Sequence, residues 1–232
     1  MPRVAGPTYA QDTLYVRPSR RILGAEFGRD ELRHVAFAAL ALTLIFAGAF
    51  ATSATRGNFS ALPSAFVLFL PFAAAAAGPA FLVALIAQKR VAEKQGCTTE
   101  FRVLPQWLLI SVLFAFLFGF VFAAPGATSR FGNVTRDGAG RMSAAVPLAY
   151  TAIGFAALIL ALAVPGAAVG APGLLLAFVA QVNGVLAAFS MIPVPGFAGS
   201  DIWRWSKLYF AAIMAGAVAL YWASLVAVRL TL

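Results

Sequence analysis

The long apolar stretches of this chain lack every strongly ionisable side chain: Val35 to Thr55, Gly57 to Gln88, Val103 to Ser129, Met142 to Ser200 and Leu208 to Val228 contain no Asp, Glu, Lys, Arg or His. A charge at the centre of a bilayer costs about 2.5 to 3.5 kcal/mol, so proteins keep one there where function requires it. A proton- or ion-coupled transporter normally keeps a carboxylate within its spans; these runs hold none, which disfavours that class and leaves an uncoupled pore lined by Ser, Thr and backbone. A serine protease working inside the membrane needs a base beside its nucleophile, and an aspartyl one needs two buried aspartates. Asp201 is the sole acid near any span, and Ile202-Trp203-Arg204-Trp205 after it has the composition of an interfacial anchor.

Cysteine and histidine are equally scarce. The single Cys97 excludes an internal disulfide and a multi-thiolate zinc site, and fits a free thiol in a reducing compartment. The single His34 stands at the entrance to the first apolar run, four residues after Asp30 and on the same helix face. Those two side chains alone make at most a weak metal pair.

What is present is hydrocarbon. Hydrophobic residues make up 62% of the 232 and charged residues 11%, less than half of the roughly 25% usual in soluble proteins. With about 20 apolar residues needed per crossing, the runs allow five spans and one ambiguous segment. The expected fold is an all-α polytopic membrane protein of five to six transmembrane helices, near 35–54, 61–87, 143–164, 173–190 and 208–228, with 104–124 undecided. Pro71 and Gly78-Pro79 predict a kink in the second span. A basic loop with Lys89, Arg90, Lys94 and Arg102 follows it. Gly132-Asn133 and Asp137-Gly138 suggest a short hairpin at 130–141, and Pro165-Gly166 to Pro172 a tight connection. No internal repeat is evident.

Charge placement sets the expected topology. The net charge is +9, but the basic residues flank spans rather than forming one stripe, which argues against a nucleic-acid partner. If 104–124 crosses fully and the N-terminus is inside, 11 Lys and Arg lie on the cytoplasmic side and 6 outside; if it dips in and returns, the split is 15 and 2. The second arrangement satisfies the positive-inside rule better and makes 104–124 a re-entrant segment that must be covered by protein. Residues 1–34 then form a cytoplasmic basic arm against anionic lipid, and 35–232 the transmembrane domain of a cell-membrane protein.

The most specific local pattern is Phe189-Ser190-Met191-Ile192-Pro193-Val194-Pro195-Gly196-Phe197-Ala198-Gly199-Ser200 at the end of an apolar helix. Its two prolines and neighbouring glycines break the helix at membrane depth, which an ordinary loop would also do. Here the chain resembles the compact prokaryotic members of the site-2 protease family of intramembrane zinc metalloproteases. Their corresponding stretch reads FN-x-x-P-x-P-P-x-DG, with the aspartate as a zinc ligand. Phe189, Pro193, Pro195 and Gly199 keep that pattern, whereas Ser190 replaces the asparagine and Ala198 the aspartate.

The resemblance continues upstream. In that family HExxH on a membrane helix is followed by K-x-x-A-x-x-x-GC and AEFR, and this chain has Lys89, Ala92, Gly96-Cys97 and Thr99-Glu100-Phe101-Arg102. In that register the two histidines fall on Ala84 and Gln88 and the glutamate on Leu85. Phe122 to Ala127 matches a FAAPGA-like stretch, and Ala145-Val146-Pro147 stands where AGP is usual, with the family's following asparagine at Tyr150. The similarity spans about Glu26 to Trp205.

It implies a scaffold whose zinc ligands are absent, so that no catalytic residue, metal ligand or cofactor is assigned. The degenerate positions are Ala84, Leu85, Gln88 and Ala198. Ser190, Pro193, Pro195 and Gly199 are candidate groove residues. Zinc catalysis needs three N, O or S ligands, an open water position and a carboxylate base, and methyl, isobutyl and amide groups do not supply them. The expected function is a pseudoprotease that binds a client's transmembrane helix, with small residues such as Ala73 to Gly78 allowing close approach, or simply packing the protein's own helices. The alternatives are an active metalloprotease using unrecognised ligands among Asp30, Glu31, His34, Glu93, Cys97, Glu100, Asp137 and Asp201, and a purely structural membrane protein.

Overall fold

The computed structural model describes residues 19–56, 58–163 and 170–231. Along the chain run β1 (Ser19–Ile22), β2 (Ala25–Gly28), α1 (Arg29–Thr55), α2 (Leu62–Lys94), β3 (Thr98–Val103), α3 (Pro105–Phe118), β4 (Gly126–Phe131), α4 (Arg136–Ala163), α5 (Gly170–Ser190), α6 (Ala198–Trp205) and α7 (Lys207–Thr231). The fold is all-α and polytopic. Helices α1, α2, α4, α5 and α7 are each long and apolar enough to cross a membrane, with mean hydropathy of 1.8 to 2.2 over their best windows. Their apolar surface is divided between mutual packing and outward-facing side chains such as Phe37, Val67, Ile159 and Trp222.

α3 has 14 residues, about 21 Å of helix against a hydrocarbon core of about 30 Å. It ascends along α1. The Phe116 ring fills the space over Gly48, where a Cβ would lie 2.6 Å from it. Thr52 Oγ1 donates to Phe116 O at 3.1 Å and Ser53 Oγ to Gly119 O at 3.3 Å. Gly119 ends the helix at φ +65, the left-handed geometry favoured by glycine. The chain then descends, and Leu104 N donates to Pro125 O at 3.4 Å. β3 and β4 pair antiparallel from Thr98↔Phe131 to Val103↔Gly126. The 104–124 segment therefore enters and returns to the level from which it started.

That level is marked by charge. Every Lys, Arg, Asp and Glu whose side chain is described, Arg56 excepted, lies at the end of the bundle carrying the N-terminus of α1, the C-terminus of α2 and the β3–β4 sheet. Glu31 is the knot there. Its carboxylate pairs with Lys89 at 2.9 Å, accepts Phe101 N–H at 2.8 Å and Gly28 N–H at 3.3 Å. Lys89 also donates to Thr99 O and lies 4.7 Å from the centroid of the Phe27 ring. Both charged groups are buried, and together they bind β2, α1, α2 and β3.

Several local expectations change. There is no hairpin at 130–141: β4 ends at Phe131, its partner is the distant β3, and α4 starts at Arg136. Thr135 Oγ1 accepts Gly138 N–H at 3.0 Å, so a stretch with turn composition serves as a helix N-cap and first turn, where the same residue types are favoured. Part of the anticipated basic loop is helix and strand, since α2 runs on to Lys94 and β3 begins at Thr98. α2 passes through Pro71 and Pro79 as one helix. α5 starts at Gly170 and so includes Pro172, while residues 164–169 lie outside the described residues. Within the N-terminal arm, residues 1–18 do so as well, and residues 19–28 form a β1–β2 hairpin held to α2 by Arg90 on Leu23 O and by Glu93 Oε1 on Glu26 N.

Candidate functional site

At the charged end, α2, α4, α5, α6 and the descending strand enclose a cavity of about 380 Å³. Helical and strand periodicity aims the wall residues at it. Phe81, Ala84, Leu85 and Gln88 lie on one face of α2; Ser143, Val146 and Tyr150 on one face of α4; Leu186 and Ser190 one turn apart on α5. Thr128 and Arg130 alternate along β4, and Ala198 and Asp201 sit one turn apart on α6. α5 stops at Ser190, the Pro193–Pro195 stretch turns the chain, and α6 begins at Ala198. Gly199 makes that return tight: a Cβ there would lie 2.1 Å from Met191 O.

The wall is polar toward the charged end and apolar toward the bundle. Gln88 is separated from Phe81 by two turns of α2, about 10 Å, and Tyr150, Val146 and Leu186 belong to the deeper part. Two polar links cross the site. Gln88 Oε1 accepts Thr128 Oγ1–H at 3.2 Å, joining α2 to β4. Arg130 forms an ion pair with Asp201, Ser143 Oγ donates to Asp201 Oδ2 at 2.9 Å, and Arg130 Nη2 donates to Ser143 Oγ at 2.8 Å. This triad joins β4, α4 and α6. Outside it, Trp205 Nε1 donates to Asp137 Oδ1 at 2.6 Å, and Arg136 donates to Arg204 O, fixing α6 against the start of α4.

The structure brings Ala84, Leu85, Gln88, Ala198, Ser190 and Pro195 to this one cavity, while Pro193 and Gly199 lie off its wall. Asp201 is part of the wall and is ion-paired with Arg130. The Arg130–Asp201 pair had no local signal, because its partners are 71 residues apart; the alternation of Thr128 and Arg130 was the one available hint.

The donors present do not suit zinc, which takes His, Cys or carboxylate ligands and an open position. The cavity's one carboxylate, Asp201, is held by Arg130 and Ser143, and no three His, Cys, Asp or Glu side chains gather anywhere among the described residues. The other polar candidates are engaged elsewhere. Asp30 pairs with Arg33 at 3.6 Å, Glu31 with Lys89, Glu100 with Arg102 at 3.1 Å and Asp137 with Arg141 at 3.0 Å. His34 Nδ1 accepts Val103 N–H at 3.4 Å instead of meeting Asp30, and Cys97 is buried beside Ala92 and Met142.

The chain is similar to a zinc-metalloprotease homologue. A protein of Methanocaldococcus jannaschii named "Putative zinc metalloprotease MJ0611" is 29% identical over 192 residues, covering 81% of this chain and 90% of that one. No family model matches, and no solved structure matches. Similarity over most of both chains fits a metalloprotease-like family with membrane helices.

Proposed function

We propose that this chain is a non-catalytic homologue of the site-2 intramembrane zinc metalloproteases that binds a transmembrane helix of a client or partner protein. The observation that carries the proposal is the meeting of Ala84, Leu85, Gln88 and Ala198 in one cavity. These are the positions where the sequence pattern aligns the family's ligands and glutamate. A zinc hydrolase needs metal-bound water and a carboxylate to take its proton; here the aligned groups are methyl, isobutyl and amide, and Asp201 is bound to Arg130. Similarity to a chain named as a zinc metalloprotease supports descent from such a scaffold. The gathering of charge at one end supports a multi-pass protein of the cell membrane with that end, and the N-terminus of α1, in the cytoplasm.

Photo-crosslinkers placed at Gln88 and at the exposed Pro193 test this. The expected product is a crosslinked peptide from the transmembrane segment of another protein; labelling confined to lipid and to this chain defeats the proposal. Metal analysis of the purified protein separates it from the enzyme alternative, which requires stoichiometric zinc and chelator-sensitive cleavage.

A further inference from the structure

Ion pairing is uneven at the charged end. Arg21, Arg33, Lys89, Arg102, Arg130 and Arg141 each lie within 3.6 Å of a carboxylate. Arg136, Arg204 and Lys207 are exposed and have no acidic partner among the described residues. These three share one corner. Only Ser206 separates the end of α6 from the start of α7, so Arg204 and Lys207 are close along the chain, and the Arg136 guanidinium reaches across from the start of α4 to donate to Arg204 O. The acids of the same helices offer no counter-charge, since Asp137 on α4 is paired with Arg141 at 3.0 Å and Asp201 on α6 with Arg130. Like charges gathered in this way repel one another, and the corner is electrostatically open to an anion.

Its depth and its apolar part say which anion. The membrane-crossing helix α7 begins at Lys207 itself, which puts the corner at the headgroup level. Leu208 and Tyr209 come next and are 79% and 54% exposed. The Trp203 ring, also exposed, has Lys207 Nζ at 5.5 Å and Phe210 edge-on at 5.0 Å, while Trp205 stacks on Tyr209 at 4.6 Å. Trp and Tyr are enriched at that level. Cations beside exposed hydrocarbon are the complement of a phosphate beside an acyl chain, whereas an acidic peptide from the aqueous phase would leave Leu208 uncovered. We infer that the α4–α6–α7 corner is a docking surface for an anionic phospholipid, with the phosphodiester drawn to Arg136, Arg204 and Lys207 and the acyl chains against Leu208 and α7. The three cations need not meet at one atom, because charges within a Debye length, about 8 Å, act as a summed field on a headgroup. The assignment is independent of the cavity and of any protease ancestry.

Delipidated protein in a zwitterionic detergent is titrated with dioleoylphosphatidylglycerol and with dioleoylphosphatidylcholine, and native mass spectrometry reads the bound fraction. The anionic lipid is expected to bind at least tenfold more tightly, and neither inorganic phosphate nor a hexaglutamate peptide at equal concentration should displace it. A basic residue near an anionic headgroup is worth about a fivefold change in affinity. Arg204→Gln and Lys207→Gln should therefore each weaken the anionic lipid about fivefold and together about twenty-five-fold, with Arg33→Gln, on α1, as an unchanged control. Equal binding of the two lipids overturns the inference, as does parental affinity in the double variant or an equal loss in Arg33→Gln. Displacement by phosphate or by the peptide overturns the choice of a lipid. Should the variants fail to fold, a photoactivatable phosphatidylglycerol on the unaltered protein decides the location: label within 203–210 is expected, and label confined to other segments overturns it.

Discussion

Glu31 and Lys89 form an ion pair whose side chains are only 2% and 6% exposed, so each carries a desolvation cost that its partner offsets. In such pairs the loss of one member is more damaging than the loss of both, because a lone buried charge remains. Lys89→Met should lower unfolding free energy by about 3 to 5 kcal/mol, and adding Glu31→Leu should restore much of it, read from denaturant unfolding in detergent. Equal losses in the single and double variants would mean that the backbone groups on Glu31, Phe101 N and Gly28 N, are what it chiefly serves. At this scale the sequence was partly legible. It marked Lys89 through the resemblance and Glu31 only as one of several acids outside the apolar runs, and the pairing joins residues 58 apart and has no local signature. The same holds for Arg130 and Asp201, whose contact depends on β4 lying against α6.

Among the elements, the re-entrant segment was readable because lysine and arginine record the side of the membrane on which a loop sits. The hairpin at 130–141 misled because Asn, Thr, Asp and Gly favour turns and helix starts alike. Which role they take depends on whether β4 finds β3, a decision made 33 residues upstream, where Thr98 meets Phe131. The re-entrant path has a direct consequence. In a chain with Cys97 replaced, single cysteines at the exposed Thr98 and Phe131 should react with a membrane-impermeant maleimide from one side of the membrane, and one at the exposed Asn58 from the other. Reaction of Thr98→Cys and Phe131→Cys from opposite sides would make 104–124 a full crossing.

For the whole molecule, five spans follow from where charge is missing, because lipid tolerates so little of it. The cavity was legible as a set of positions through the motif at Phe189 to Gly199 and the frame around Lys89. Its polar links were not, since each joins elements distant in sequence. The decisive test of scaffold descent is therefore to rebuild the lost chemistry: Ala84→His, Leu85→Glu, Gln88→His and Ala198→Asp together. If α2 and α6 still hold the family geometry, three ligands converge and an open position remains for water. The fourfold variant should bind one zinc per chain where the parent binds none. Bound metal adds RT ln(1 + [L]/Kd), about 2.7 kcal/mol at a hundredfold excess over Kd, so its melting temperature should rise with zinc and fall with chelator while the parent's stays fixed. Asp201 is left in place, because its ties to Arg130 and Ser143 keep α6 oriented toward α4. A folded fourfold variant that takes up no zinc would mean that the alignment of Ala84, Gln88 and Ala198 with the family's ligands is wrong, and the pseudoprotease proposal would fall with it.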